Sequence, residues 1–179
     1  MSTLTTTKPK SETKLNEVIS DIISVVKENP EIASVIFTVN SKLEKGFHSY
    51  IKARDFEFVS DEPESLGGTD TGPNPVEYVL GALAACQEIV IKAHAGQLGI
   101  DLKSVKVNAS GDLDLHGFFA LSDTRPGFTK VRYQTFIETE ENDPDKLQKL
   151  KDLATNNCPV LDIIQNPVPV SGEVTFISN

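Results

Sequence analysis

The chain has no tryptophan, one methionine, two cysteines and only three arginines in 179 residues. Each shortage excludes something. Two cysteines far apart in sequence cannot build a zinc knuckle, which needs local pairs. A structural disulfide in a reducing cytoplasm is not expected either. Long apolar runs are missing as well. The richest one, around Cys86, is broken by Gln87, Glu88, Lys92 and His94, so no membrane span is expected. The first ten residues are mostly Ser, Thr, Lys and Pro, without the apolar stretch of a secretory leader. A cytoplasmic protein with a frayed polar start is the expectation. Positive charge is scarce too: the net charge is −9, and Lys8, Lys10 and Lys14 face only Glu12 at the start, so the acid excess lies in the remainder. Such a body repels phosphate backbones and anionic membranes, which makes nucleic acid and membrane poor partners.

What is present suffices for a core, with 39% hydrophobic and 24% charged residues. Leu15, Val18, Ile19, Ile22, Ile23 and Val26 recur at helical spacing and predict an amphipathic helix over 11–28, stopped by Asn29-Pro30. The β-branched and aromatic run 32–40 predicts a strand, followed by strands over 47–53 and 55–59. Residues 61–73 hold four acids, three glycines and two prolines. They predict a long loop, functional or mobile.

Asn74, Pro75 and Glu77 then form a helix start, with Glu77 in the third position of a capping box. The following run to Leu98 is apolar on nearly every side, which predicts burial at the centre of the molecule or in a subunit interface. Strands are expected over 100–114 and 131–139, a helix over 143–156, a short helix opened by Cys158-Pro159 and a last strand over 168–177. Strands do not alternate strictly with helices, so the class is α+β. The organisation read here is an N-terminal tail and extra helix over 1–30, then one domain over 31–179. That domain divides into strands and acidic loop (31–73), central helix (74–98) and a C-terminal half (100–179).

The two cysteines are the candidates for chemistry. Cys158 precedes a helix-opening proline, so its sulfur faces free amides and the positive end of the helix dipole, an arrangement that favours thiolate. Cys86 sits in mid-helix among Gly81, Ala82, Ala84 and Ala85 and gains nothing from its own helix. Activation there has to come from a cation or from another helix's start. Two buried thiols acting as small hydrophobes is the plainer alternative. His48, His94 and His116 form no group; only a Cys86–His94–Cys158 metal set is conceivable, and eight residues along a helix separate its first two members by about 12 Å. Gly67-Gly68 lacks the strand, helix and lysine of a phosphate loop.

The order of these pieces resembles the OsmC/Ohr family, the osmotically inducible protein C and organic hydroperoxide resistance proteins. The resemblance rests on Gly72-Pro73-Asn74-Pro75 through Ala85-Cys86, on the alternating strand from Val105 to Asp112, and on Asn157-Cys158-Pro159-Val160 followed by Asn166-Pro167-Val168-Pro169-Val170. It covers roughly residues 32–177. It implies an intertwined homodimer with the long helices packed centrally, sheets wrapped around them and each site at the dimer interface. It also implies that Cys86 attacks the O–O bond of an organic hydroperoxide or H2O2, and that Cys158 resolves the sulfenic acid to a disulfide. No bound cofactor is implied, only an external dithiol reductant.

One departure stands out. Family peroxidases carry a glutamate two residues after the asparagine, where it orients an arginine over the thiolate; here that residue is Val76. Glu77 is out of phase with Cys86 on a regular helix and reads as a capping residue. Arg54, at a strand end before the acidic loop, is the first candidate cation for Cys86, ahead of Arg125 and Arg132. The alternative implied by Val76 is a non-peroxidase family member that binds a small hydrophobic ligand at the interface. A thiol cycle further requires the reduced sulfurs to lie within roughly 10 Å, with the helix opening at Pro159 aimed at Cys86.

Overall fold

The computed structural model describes the backbone of residues 10–178 and the side chains of 14–178. The polar start expected to fray lies outside the described residues. The first helix, α1 (Lys10–Glu28), turns Asn16, Ile19, Ile23 and Val26 inward and leaves Leu15, Val18, Ile22 and Val25 exposed. It packs beside the end of the central helix α2 (Pro75–Leu98), where Gly96 lets the Asn16 side chain come close. Beyond a 3-10 turn at Pro30–Ala33 come three antiparallel strands in the order β1 (Asn40–Lys45), β2 (His48–Ala53) and β3 (Phe56–Ser60). A second antiparallel pair joins β4 (Leu102–Asp112) to β5 (Lys130–Thr139), with Val107 opposite Thr135 and Ala109 opposite Tyr133. Between them lies a short helix, α3 (Leu115–Phe118), that the sequence did not signal. Two helices follow, α4 (Pro144–Asn156) and α5 (Pro159–Gln165). The α+β class is as expected.

The central helix begins as its sequence dictates. The Asn74 side chain accepts from the Glu77 amide at 2.9 Å, and the Glu77 carboxylate accepts from the Asn74 amide at 2.9 Å. Gly99 closes it at φ 69, a left-handed conformation that glycine adopts without strain. One face of α2 meets β4 and α4, burying Ile91 and Ala95 with Ile100, Leu150 and Ala154. Nearer its start, Leu83 is buried with Cys158 and Leu161. The opposite face is open: Ile89 is 68% exposed.

Two strand expectations are corrected. Residues 34–39 and 166–178 carry no regular element, although Val35, Ile36 and Phe37 in one and Val170, Val174 and Phe176 in the other are strand formers. These six side chains are 65–93% exposed. A strand exists only when a neighbour accepts its hydrogen bonds, and neither segment has such a neighbour among the described residues. The accessible surface is 14041 Å², whereas a compact monomer of this mass exposes about 8,500 Å².

The acidic loop 61–73 is not loose. Asp61, 1% exposed, is its hub. Its carboxylate accepts from the Glu62 amide at 2.8 Å, the Thr69 amide at 3.0 Å, the Thr71 hydroxyl at 2.9 Å and the Thr69 hydroxyl. The Thr69 hydroxyl, with the Glu62 amide and the Thr71 hydroxyl, holds this carboxyl well below its ordinary range, against the opposing pull of burial. The loop folds so tightly that a Cβ on Gly68 would lie 1.8 Å from the Glu62 carbonyl oxygen. It is thereby pinned beside the start of α2, where the Tyr78 hydroxyl donates to the Val59 carbonyl and the rings of Phe58 and Tyr78 lie 5.4 Å apart.

Candidate functional site

The site is assembled by three helices. Cys86 lies on α2 one turn beyond Leu83, partly exposed. Cys158 is the N-cap of α5, in the two-residue link after α4, and is 1% exposed. Both are free thiols packed in one cluster with Leu83 and Leu161, lined further by Val90, Ala109, Val131 and Tyr133. Distant in sequence, the two thiols pack in one cluster, near enough for Cys158 to act on the Cys86 thiol.

The opening of α5 is the second feature. Proline at its first position has no amide hydrogen, so Val160 offers the first free N–H. That amide favours the thiolate of Cys86, while the Cys158 side chain makes no capping bond to its own helix. The helix start is aimed at Cys86, as its sequence suggested. Burial pushes the Cys86 thiol above its ordinary pKa near 9.0, and the Cys158 thiol beside it pushes the same way; the Val160 amide opposes both. Within one chain the balance keeps the proton on sulfur.

The structure does not bring Arg54 into this group. Ala53 pairs with Phe56, leaving Arg54 and Asp55 as a two-residue hairpin turn, and Arg54 takes φ 57 to make it. Its exposed guanidinium stacks 5.0 Å from the Phe56 ring centre. Arg54 is thus a turn residue, not a strand end, and it is not among the groups that shift the Cys86 thiol. Arg132 is engaged by both carboxylate oxygens of Asp112 at 2.6 Å. Glu77 is bonded to its own helix start, as its phase required. Val76 lines a cavity of about 130 Å³ with Leu66, Leu113, Leu115 and Phe118. An acid at that position would meet an apolar wall. His94 joins no metal-sized group: among the described residues no three His, Cys, Asp or Glu side chains stand close enough to hold an ion.

Two features escaped the sequence. One is Gln87, next to Cys86, which is 2% exposed and donates to the Ala154 carbonyl at 3.1 Å. Its only signal is a polar residue on the inward stripe Leu83–Gln87–Ile91. The other is an apolar groove of about 630 Å³ between the β1–β3 sheet and α2, walled by Val39, Leu43, Phe47, Ile51, Phe58 and Tyr78.

Comparison with known proteins now has a geometry to refer to. The family model for OsmC-like protein matches residues 68–173, which includes both cysteines. No curated protein matches in sequence. Among solved structures, an OsmC-like protein from Mycoplasma pneumoniae superposes with a TM-score of 0.65 at 17% identity, over 75% of this chain and 90% of that one. An osmotic stress induced and detoxification response protein from Psychrobacter arcticus gives 0.58 at 16%, over 72% and 88%. An organic hydroperoxide resistance protein OsmC from Legionella pneumophila gives 0.54 at 21%, over 74% and 93%. The structural likeness fixes the fold, the family match spans more than half of the chain, and the chain belongs to the OsmC-like protein family as a divergent member.

Proposed function

We propose that the protein is a thiol peroxidase for organic hydroperoxides, working as a homodimer. The observation that carries this reading is the packing of Cys86 and Cys158 in one cluster at the start of α5. In the first step the Cys86 thiolate attacks the distal peroxide oxygen. The O–O bond breaks, the sulfur becomes a sulfenic acid, and the alkoxide leaves as an alcohol after taking a proton. In the second step the Cys158 thiol displaces hydroxide from that sulfur, which leaves as water with the thiol proton, and an S–S bond forms. A dithiol then returns both cysteines to thiols and is itself oxidised to a disulfide.

The homodimer reading is supported by the excess exposed surface and by the two strand-forming segments without neighbours. It also bears on the chemistry. One chain leaves the Cys86 thiol with a raised pKa, so the cation that a peroxidatic thiolate requires has to come from assembly. An organic hydroperoxide as the substrate class also agrees with the name of the Legionella pneumophila protein, an organic hydroperoxide resistance protein.

The test is direct. Protein reduced with a dithiol and freed of excess is mixed with one equivalent of cumene or fatty-acid hydroperoxide, and free thiols are counted. Loss of two thiols per chain with equimolar alcohol supports the reading, and prior alkylation of Cys86 should abolish it. Unchanged thiols would sink it. The groove beside α2 and the apolar setting of Val76 favour a second reading, a family member that holds a small hydrophobic ligand at the interface. Unreactive thiols together with saturable binding of an apolar fluorophore would select that one.

A further inference from the structure

We propose that Gln87 is a positioning residue for the disulfide-forming step. The inference deepens the peroxidase reading and names a part of its machinery. Gln87 stands next to Cys86 on α2, and its side chain points the other way, into the contact with α4. There its amide donates to the carbonyl of Ala154 at 3.1 Å, with both residues buried.

Ala154 lies in the last turn of α4, where carbonyls have run out of partners along their own helix. Gln87 supplies the missing donor. The bond therefore does more than fill a core: it fixes the end of α4 against α2. Cys158 follows four residues after Ala154 and has nowhere to go, since Leu83, one turn before Gln87, closes on it from the same helix. Leu83 sets the depth of Cys158 by contact, and Gln87 sets its place by a directed bond.

Gln87 touches neither sulfur in this role. It leaves the first step, attack of Cys86 on peroxide, to Cys86 and its own surroundings. It bears on the second step alone, in which the Cys158 sulfur must meet the oxidised sulfur of Cys86 and release water. Condensation of two side chains is sensitive to placement, and a shift of about 1 Å can cost up to a hundredfold in rate. Without the bond, the sulfenic acid lives longer and a second hydroperoxide carries it on to sulfinic acid.

The variant is Gln87→Met, which keeps length and bulk and removes the donor, with Gln87→Leu as a second variant that also lacks a donor. Sulfenic acid formation should proceed within twofold of the native rate. Disulfide formation should slow by about tenfold or more, and the hydroperoxide concentration that half-inactivates the protein should fall in proportion. Independently, the native disulfide is formed with diamide and equilibrated against glutathione. The effective concentration of Cys158 toward Cys86 should fall by a similar factor in either variant. That second measurement needs no peroxidase activity, so failure of the peroxidase reading and failure of this one are told apart. An unchanged effective concentration overturns the proposal. So do variants that lose both steps equally or do not fold, because they assign Gln87 to the fold alone.

Discussion

Phe176 is 93% exposed in the single chain. If the chain works alone, replacing Phe176 with alanine removes nothing that is buried, and surface substitutions of that kind change stability by about 0.5 kcal/mol or less. If the segment 168–177 pairs across a dimer, the same ring is buried there. Burying a phenylalanine side chain is worth about 1.5–3 kcal/mol. A symmetric dimer carries the substitution twice, so Phe176→Ala should weaken it by about 3–6 kcal/mol. At about 1.4 kcal/mol per factor of ten, the dissociation constant rises by roughly a hundredfold to ten-thousandfold. Phe37, 89% exposed in the other unpaired segment, provides a parallel case. Sedimentation equilibrium over a dilution series reads this constant directly. The native chain should be a dimer at micromolar concentration and the variant a concentration-dependent mixture. A native monomer of about 20 kDa, or a Phe176→Ala dimer as tight as the native one, would refute the reasoning.

Three further outcomes are expected. Asp61→Asn should lower the urea midpoint at pH 7. The native carboxyl is held below its ordinary range, so its stabilisation is complete above the unfolded value near 3.9 and is lost as pH falls through the folded value; the gap between the two proteins should narrow below about pH 4, and a gap independent of pH would contradict the role given to the charge. Thiolate absorbance of Cys86 in a Cys158→Ser protein should titrate below the ordinary 9.0 in the assembled protein if assembly supplies a cation; a midpoint above it, which the environment within one chain favours, counts against peroxidase chemistry. Gly68→Ala drives a methyl group into the Glu62 carbonyl, and overpacking of this kind costs about 1–3 kcal/mol, read as a drop in melting temperature; an unshifted transition would mean that the acidic loop is not held as described.

The helices were legible in sequence because their information is local. Asn74, Pro75 and Glu77 carry the start of α2 within one turn, and Gly99 carries its end. The cap position of Cys158 was legible for the same reason, since it stands before a helix-opening proline, whereas Cys86 stood out through the family resemblance in its spacing from Asn74. What was not legible depends on partners remote in sequence. Residues 34–39 and 168–177 have the composition of strands, but composition supplies no neighbouring edge, and one chain leaves both unpaired among the described residues. Arg54 looked available to a sulfur until the register of β2 against β3 made it a hairpin turn residue. Asp61 was one acid among four in its loop, and only folding gathered the amides and hydroxyls of Glu62, Thr69 and Thr71 around it. Gln87 read as an interruption in an apolar helix, because the carbonyl it serves belongs to another helix. Sequence alone determined where the two thiols stand in the chain and where the long helices start and stop, since those depend on atoms within a turn or two. Tertiary structure decided which of them meet, because a thiol's partner, a strand's edge and a buried donor's acceptor are set by packing between distant segments.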